Sequence, residues 1–196
     1  MELREHRDAE DIELSVLVLR CQTGDEGAFA RLFGRFAPHT LGYLDGLVGQ
    51  DAEDLQQEVW LRVYRHLGGL ANPHAFRTWL YRLTRHAAFD HLRRQRRSAD
   101  LFVDDVAADD IADPSATLDL EDTRLLTPDL LEGLPAPPRE ALLLRHRDDL
   151  TYAEIAAVAG CSVGTVRSRL HYARQRLEQL LREHGDTTNP FDEVSE

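Results

Sequence analysis

Four acids stand within eight residues, at Asp51, Glu53, Asp54 and Glu58, and carboxylates this close could offer oxygen ligands to a hard divalent cation. On a helix only Asp51, Asp54 and Glu58 share a face, and no histidine stands within the array. A metal-assisted nuclease is therefore not expected. The two cysteines, Cys21 and Cys161, lie far apart and outside any Cys-x-x-Cys spacing, so neither a zinc site nor a disulfide framework is indicated. Cys161 reads as a small packing residue in a turn rather than a redox sensor, and the nine histidines are scattered. No catalytic residue, no metal and no cofactor are expected.

The chemistry that the residue types do suit is recognition of a polyanion. All 23 basic residues are arginine, whose forked guanidinium fits phosphate and guanine edges. The formal net charge of -12 conceals strong segregation: residues 60–97 carry nine Arg against Asp90 alone, while residues 98–138 carry eleven acids against Arg124 alone. Local potential steers a polyanion to a surface, so an acidic total does not exclude a nucleic-acid partner.

The stretch TYAEIAAVAGCSVGTVRSRLHYAR, residues 151–174, has two helical runs hinged at a Gly-Cys. This is the form of a helix-turn-helix, whose second helix enters the major groove. Thr151 and Glu154 form a capping box, and Ser162 caps the second helix. In that helix Val163, Val166, Leu170, Ala173, Leu177 and Leu180 recur at helical spacing. Thr165, Arg167, Ser168, Arg169, His171, Tyr172 and Arg174 fall off this stripe, and their types suit base edges and phosphate.

A second basic face follows Tyr81. In FRTWLYRLTRHAAFDHLRRQRR the residues Phe76, Trp79, Leu80, Leu83 and Ala87 form an apolar stripe, with Arg82, Arg85, Arg93 and Arg96 along another. Tyr81 and Phe89 interleaved with arginine would suit stacking on unpaired bases, whereas Trp79 reads as core.

The elements that must position these faces are all helical. Thr23 and Glu26 have the spacing of a capping box, predicting a helix over about 25–36, preceded by one over 12–20. Pro38 and the glycines at 42, 46 and 49 make a further helix over 38–48 less firmly marked. Asp51 is predicted to cap a helix burying Leu55, Val59, Trp60, Val63, Tyr64 and Leu67. GGLANPHA, residues 68–75, is a loop joining two antiparallel helices. The acids and Pro114 of residues 98–121 predict an extended, solvated linker. Helices over about 122–132 and 138–147 lead into the helix-turn-helix, and the tail from 185 onward reads as unfolded. The expected fold is all-α, with two small helical domains joined by an acidic flexible linker, the second carrying the helix-turn-helix. Its divisions are an extension at 1–13, a domain at 14–97, the linker at 98–121, a domain at 122–184 and a tail at 185–196.

Taken together, DAEDLQQEVWLRVYRHL with FRTWLYRLTRHAAFDHLRRQRR, and then LTYAEIAAVAGCSVGTVRSRLHYARQRL, resemble the extracytoplasmic-function sigma factors of bacterial RNA polymerase. The likeness spans about residues 14–184 in two blocks. It implies that Asp51, Asp54, Leu55, Gln57, Glu58 and Arg62 dock on the polymerase's largest subunit. It implies that the loop bearing Gly68, Ala71, Asn72 and His74 captures a flipped base of the promoter's minus-ten element. Arg77, Arg82, Arg85, His86, Arg93, Arg94, Arg96 and Arg97 would then grip the separating strands, offsetting the cost of base flipping. The helix from Ser162 would read the minus-thirty-five element, with Arg167, Ser168 and His171 as base contacts, and the acidic linker would thread the polymerase cleft. His86 stands where the family often has Asn, and Tyr172 where it is often basic. The implied partners are core RNA polymerase, promoter DNA and an anti-sigma factor.

The competing reading is a helix-turn-helix regulator that binds duplex DNA without being a polymerase subunit, which would need neither a docking helix nor an unpaired-strand surface. No apolar run approaches the ~20 residues that span a bilayer, so a cytoplasmic protein without membrane insertion is expected.

Overall fold

In the computed structural model, residues 2–98 and 127–185 are described, with side chains from residue 9 onward except those of residues 96, 98, 128, 129, 184 and 185. Among these residues there are eight α-helices and no strand, and the chain falls into two compact units. The first carries α1 (Glu2–Gln22), α2 (Glu26–Val48), α3 (Ala52–His66) and α4 (Phe76–Ser98). The second carries α5 (Pro128–Glu132), α6 (Ala136–His146), α8 (Val163–Gly185) and the N-terminal part of α7 (Tyr152–Ala159). The predicted linker lies almost wholly within residues 99–126, and most of the predicted tail within 186–196, outside the described residues.

In the first unit α2 packs on α1, α3 and α4, and α3 packs on α4. The α2 helix runs unbroken from Glu26 through Pro38 to Val48, where a separate helix over 38–48 was expected. Proline removes one backbone bond and crowds the carbonyl four residues earlier, here that of Gly34. Both Pro38 and Gly34 are exposed, so that carbonyl is open to water. Meanwhile Leu32, Phe36, Thr40, Tyr43, Leu44 and Leu47 keep one buried face continuous past the break. The predicted capping box at its start is replaced by a tighter arrangement. Asp25 is the N-cap, accepting from the Ala28 N–H at 2.9 Å, while Thr23 instead donates to the Arg20 carbonyl at 2.8 Å and closes α1.

Thr40 is the polar centre of this core. Its hydroxyl is fully buried, sits 3.1 Å from the Phe36 and Ala37 carbonyls, and accepts from Trp60 Nε1 at 3.2 Å and Gln56 Nε2 at 3.3 Å. One hydroxyl thus couples α2 to two successive turns of α3. Asp51 does not cap α3 through its side chain. It lies in a 3-10 turn, Gly49–Asp51, and its Oδ2 meets His91 Nε2 and Gln95 Nε2, each at 3.1 Å. The start of α3 is thereby tied to the end of α4, which makes the two helices antiparallel as expected. His91 reaches an acid forty residues away along the chain, a pairing that no local spacing signals.

The second unit has α6 and α5 against α8. Leu142, Leu143 and Leu144 of α6 and Val166, Ala173 and Leu177 of α8 are buried. A Cβ on Gly133 would lie 2.5 Å from Leu180 Cδ1, so the absence of a side chain lets the end of α5 approach α8. Arg139 then fastens that end, donating to the Leu134 carbonyl at 2.8 Å and the Glu132 carbonyl at 3.1 Å.

Candidate nucleic-acid interface

The helix-turn-helix is built by the caps its sequence predicts. The Thr151 N–H donates to Glu154 Oε2 at 2.8 Å, and the Glu154 N–H returns a bond to Thr151 Oγ1 at 3.3 Å, opening α7. Gly160, at φ +67°, closes it in the left-handed conformation, with the Cys161 N–H bonded to the Ala156 carbonyl at 3.1 Å. Ser162 Oγ then accepts from the Thr165 N–H at 3.0 Å and starts α8.

On α8 the buried stripe is Val166, Ala173, Leu177 and Leu180, with Leu170 half-buried and Val163 39% exposed at the helix start. Arg167 and Tyr172 are exposed, and Ser168 and His171 are half-buried beside them. Ser162 and Thr165 bond to each other through their hydroxyls at 2.9 Å, and Ser168 donates to the Gly164 carbonyl at 3.2 Å. Arg169 turns inward: its Nη1 is 3.7 Å from Cys161 Sγ and its Nε is buried. Arg174 pairs with Glu178 at 2.8 Å and holds that carboxyl below the usual range.

On α4, Arg82, His86, Arg93, Arg94 and Arg97 are exposed. The Arg96 side chain lies outside the described ones. Arg85 is half-buried, its guanidinium 4.4 Å from the centroid of the Phe89 ring. Arg93 pairs with Asp90, whose carboxyl it holds below the usual range, and Arg94 donates to the Asp90 carbonyl at 3.3 Å. Tyr81 does not belong to this face. It is 2% exposed, its ring edge-on to Tyr43 at 5.9 Å, so of the two rings expected on this face only that of Phe89 reaches it. Trp79 and Leu83 are half-buried, and Phe76, Leu80 and Ala87 are buried.

The loop between α3 and α4 is folded into two 3-10 turns, Leu67–Gly69 and Pro73–Ala75. Gly68, Ala71, Asn72 and His74 are exposed along it. Asn72 Oδ1 accepts from the His74 N–H at 3.1 Å. Arg77, just beyond, is half-buried with its Nε enclosed.

The outer face of α3 carries Asp54, Gln57 and Glu58, exposed, and Arg62, which pairs with Glu58 at 3.6 Å. Leu55 is 4% exposed and packs inward. Tyr64, expected in the core from its spacing, and Leu61, which that spacing does not single out, both face outward. They are 64% and 55% exposed, and Phe33, edge-on to Trp60 at 4.9 Å, is 44% exposed. Phe29 lies edge-on to Tyr64 at 5.2 Å and to Trp60 at 6.2 Å. Gln57, Leu61 and Tyr64 recur at i, i+4 and i+7, a spacing that would have placed them on one outward face. No cluster of metal-ligating side chains is found among the described residues.

Both units match one known class. Residues 32–98 match the family Sigma-70 region 2, and residues 124–177 match Sigma-70, region 4. The RNA polymerase sigma-H factor of Pseudomonas aeruginosa is 36% identical over 177 residues, covering 84% of this chain and 92% of that protein. The ECF RNA polymerase sigma-E factor of Escherichia coli is 35% identical over 181 residues, covering 87% and 95%. Two solved structures are also similar. CnrH in complex with the cytosolic domain of CnrY has a TM-score of 0.63 and 26% identity over 87% of this chain and 97% of that one. The sigma factor RpoE in complex with the anti-sigma factor NepR, from Bartonella quintana, has a TM-score of 0.62 and 27% identity over 79% and 96%. The chain belongs to the extracytoplasmic-function (ECF) sigma factors of the sigma-70 family.

Proposed function

We propose that this sigma factor uses its two units on two states of DNA at once, with α8 reading the duplex minus-thirty-five element and the first unit holding the opened minus-ten element. The observation that carries this is the pairing of the two region matches with the exposed arginines of α4 in the first unit and the exposed Arg167 of α8 in the second. Arg167, Ser168 and His171 supply the base contacts, while Thr165, Tyr172 and Arg174 serve phosphates. In the first unit the loop bearing Gly68, Ala71, Asn72 and His74 receives the flipped base. Arg82, His86, Arg93, Arg94 and Arg97 hold the strands, and Arg85 over Phe89 offers a planar stacking surface. Arg77 and Arg96 belong to the same grip. Ser162 and Arg169 contribute by holding the turn in shape.

Core polymerase docks on the outer face of α3 through Asp54, Gln57, Glu58 and Arg62. Leu61 and Tyr64 add an apolar centre, Leu55 supports it from beneath, and Asp51 fixes the helix start. The chain performs no chemistry of its own and works in the cytoplasm; no described helix is long and apolar enough to cross a membrane. An anti-sigma partner is supported by the two similar structures, both of which contain one chain held by another. Purified core polymerase with this protein on a promoter-fragment library should yield discrete run-off transcripts. Core association without any selected fragment would overturn the promoter-reading assignment.

A further inference from the structure

We infer that Gln22, at the end of α1, is a positioning residue for the minus-ten loop, with Ser15, about two turns back on the same face of α1, as its companion. This deepens the proposed function and rests on the loop's assignment to an unpaired base.

The two halves of the loop are fastened differently. The second half fastens itself, through Asn72 Oδ1 to the His74 N–H at 3.1 Å and the Ala75 N–H to the Asn72 carbonyl at 3.0 Å. The first half contains Gly68 and Gly69, which have no side chains to tie down, and a Cβ built on either would meet nothing within 4 Å. Its own bond is the Leu70 N–H to the Leu67 carbonyl at 3.1 Å. The half-buried Gln22 amide supplies what is missing. Its Nε2 donates one N–H to the Leu67 carbonyl at 2.9 Å and the other to the Leu70 carbonyl at 2.8 Å, so one planar group brackets the glycine pair on both sides. Both donors of the amide are spent, leaving that nitrogen none for DNA. Ser15, 6% exposed, sets its hydroxyl 2.8 Å from His74 Nδ1 and orients the ring.

A reading loop discriminates between bases only if its groups are held to within a fraction of an ångström before the base arrives. A second element therefore supports the loop, and the support acts on selectivity rather than on docking to polymerase.

The test uses holoenzyme and single-stranded oligonucleotides from the non-template strand of a promoter selected in the library, each minus-ten base substituted in turn. Unaltered holoenzyme should discriminate by about ten-fold or more at the captured base. Gln22→Leu, similar in volume but without donors, should reduce this to about two-fold and raise amide exchange at Gly68–Leu70, with core affinity unchanged. Ser15→Ala, which removes one oxygen, should reduce discrimination in the same direction and serves if Gln22→Leu does not fold. Full discrimination retained in both variants would overturn the inference alone. Equal binding of every oligonucleotide by unaltered holoenzyme would bring down the loop assignment and the inference with it.

Discussion

Arg167 and Arg169 stand two positions apart on one helix, yet the first faces solvent and the second folds onto Cys161. Their residue types were legible in the sequence and their difference was not, because both lie off the apolar stripe and only the packing of the turn decides which is enclosed. A solvent-facing arginine reading a guanine edge is worth about 1–3 kcal/mol. Arg167→Ala should therefore lower transcription from a selected promoter by roughly ten-fold or more while leaving core association intact. Run-off yield and a core-binding titration measured side by side check this, and equal loss in both would place Arg167 in the wrong role. Asp25 couples the start of α2 to pH. The Ala28 N–H, then Arg20 at 2.6 Å, holds its carboxyl below the ordinary 3.8. Its folded value is the lower one, so the stability it contributes is complete above 3.8 and fades as pH falls through that lower value. Asn also caps helices but cannot ionise. The stability gap between the protein and Asp25→Asn should accordingly be largest near neutrality and close in acid, read from denaturant midpoints across pH.

At the scale of elements, the helices announced themselves where periodicity and caps agreed, as in α7 and α8, and blurred where one local rule opposed another. Pro38 and the glycines suggested a weak or separate helix, yet the buried face from Leu32 to Leu47 carries α2 through. Asp51 looked like a cap and instead braces α4, and Tyr81 looked like a stacking residue and instead meets Tyr43. Each of these depends on a partner distant in sequence, and the same holds for Thr40, whose hydroxyl joins Trp60 and Gln56. Replacing it by the isosteric Thr40→Val strands the Trp60 N–H in the core, at a cost of about 1–3 kcal/mol. Both tryptophans, Trp60 and Trp79, lie in the first unit. Urea unfolding followed by tryptophan fluorescence should therefore show this loss, while Arg167→Ala in the second unit should leave the same transition unmoved.

At the scale of the whole molecule, the net charge of -12 was the least informative number and the segregation of arginine the most. The separate blocks were readable because each unit carries its own motif. The outward face of Leu61 and Tyr64 was obscured because large apolar residues in a helix are usually enclosed by their own domain. The central claim, that one unit grips opened strands and the other paired DNA, has a direct test in two templates. Promoter opening is followed by the fluorescence of a 2-aminopurine in the minus-ten element, with polymerase on an intact duplex or on one already opened by mismatches. Arg167→Ala should slow opening of the duplex by roughly ten-fold and leave holoenzyme binding to the opened template nearly unchanged, whereas Arg93→Ala combined with Arg97→Ala should impair both. Equal impairment of both templates by Arg167→Ala, or none by the paired α4 substitutions, would contradict the division of labour.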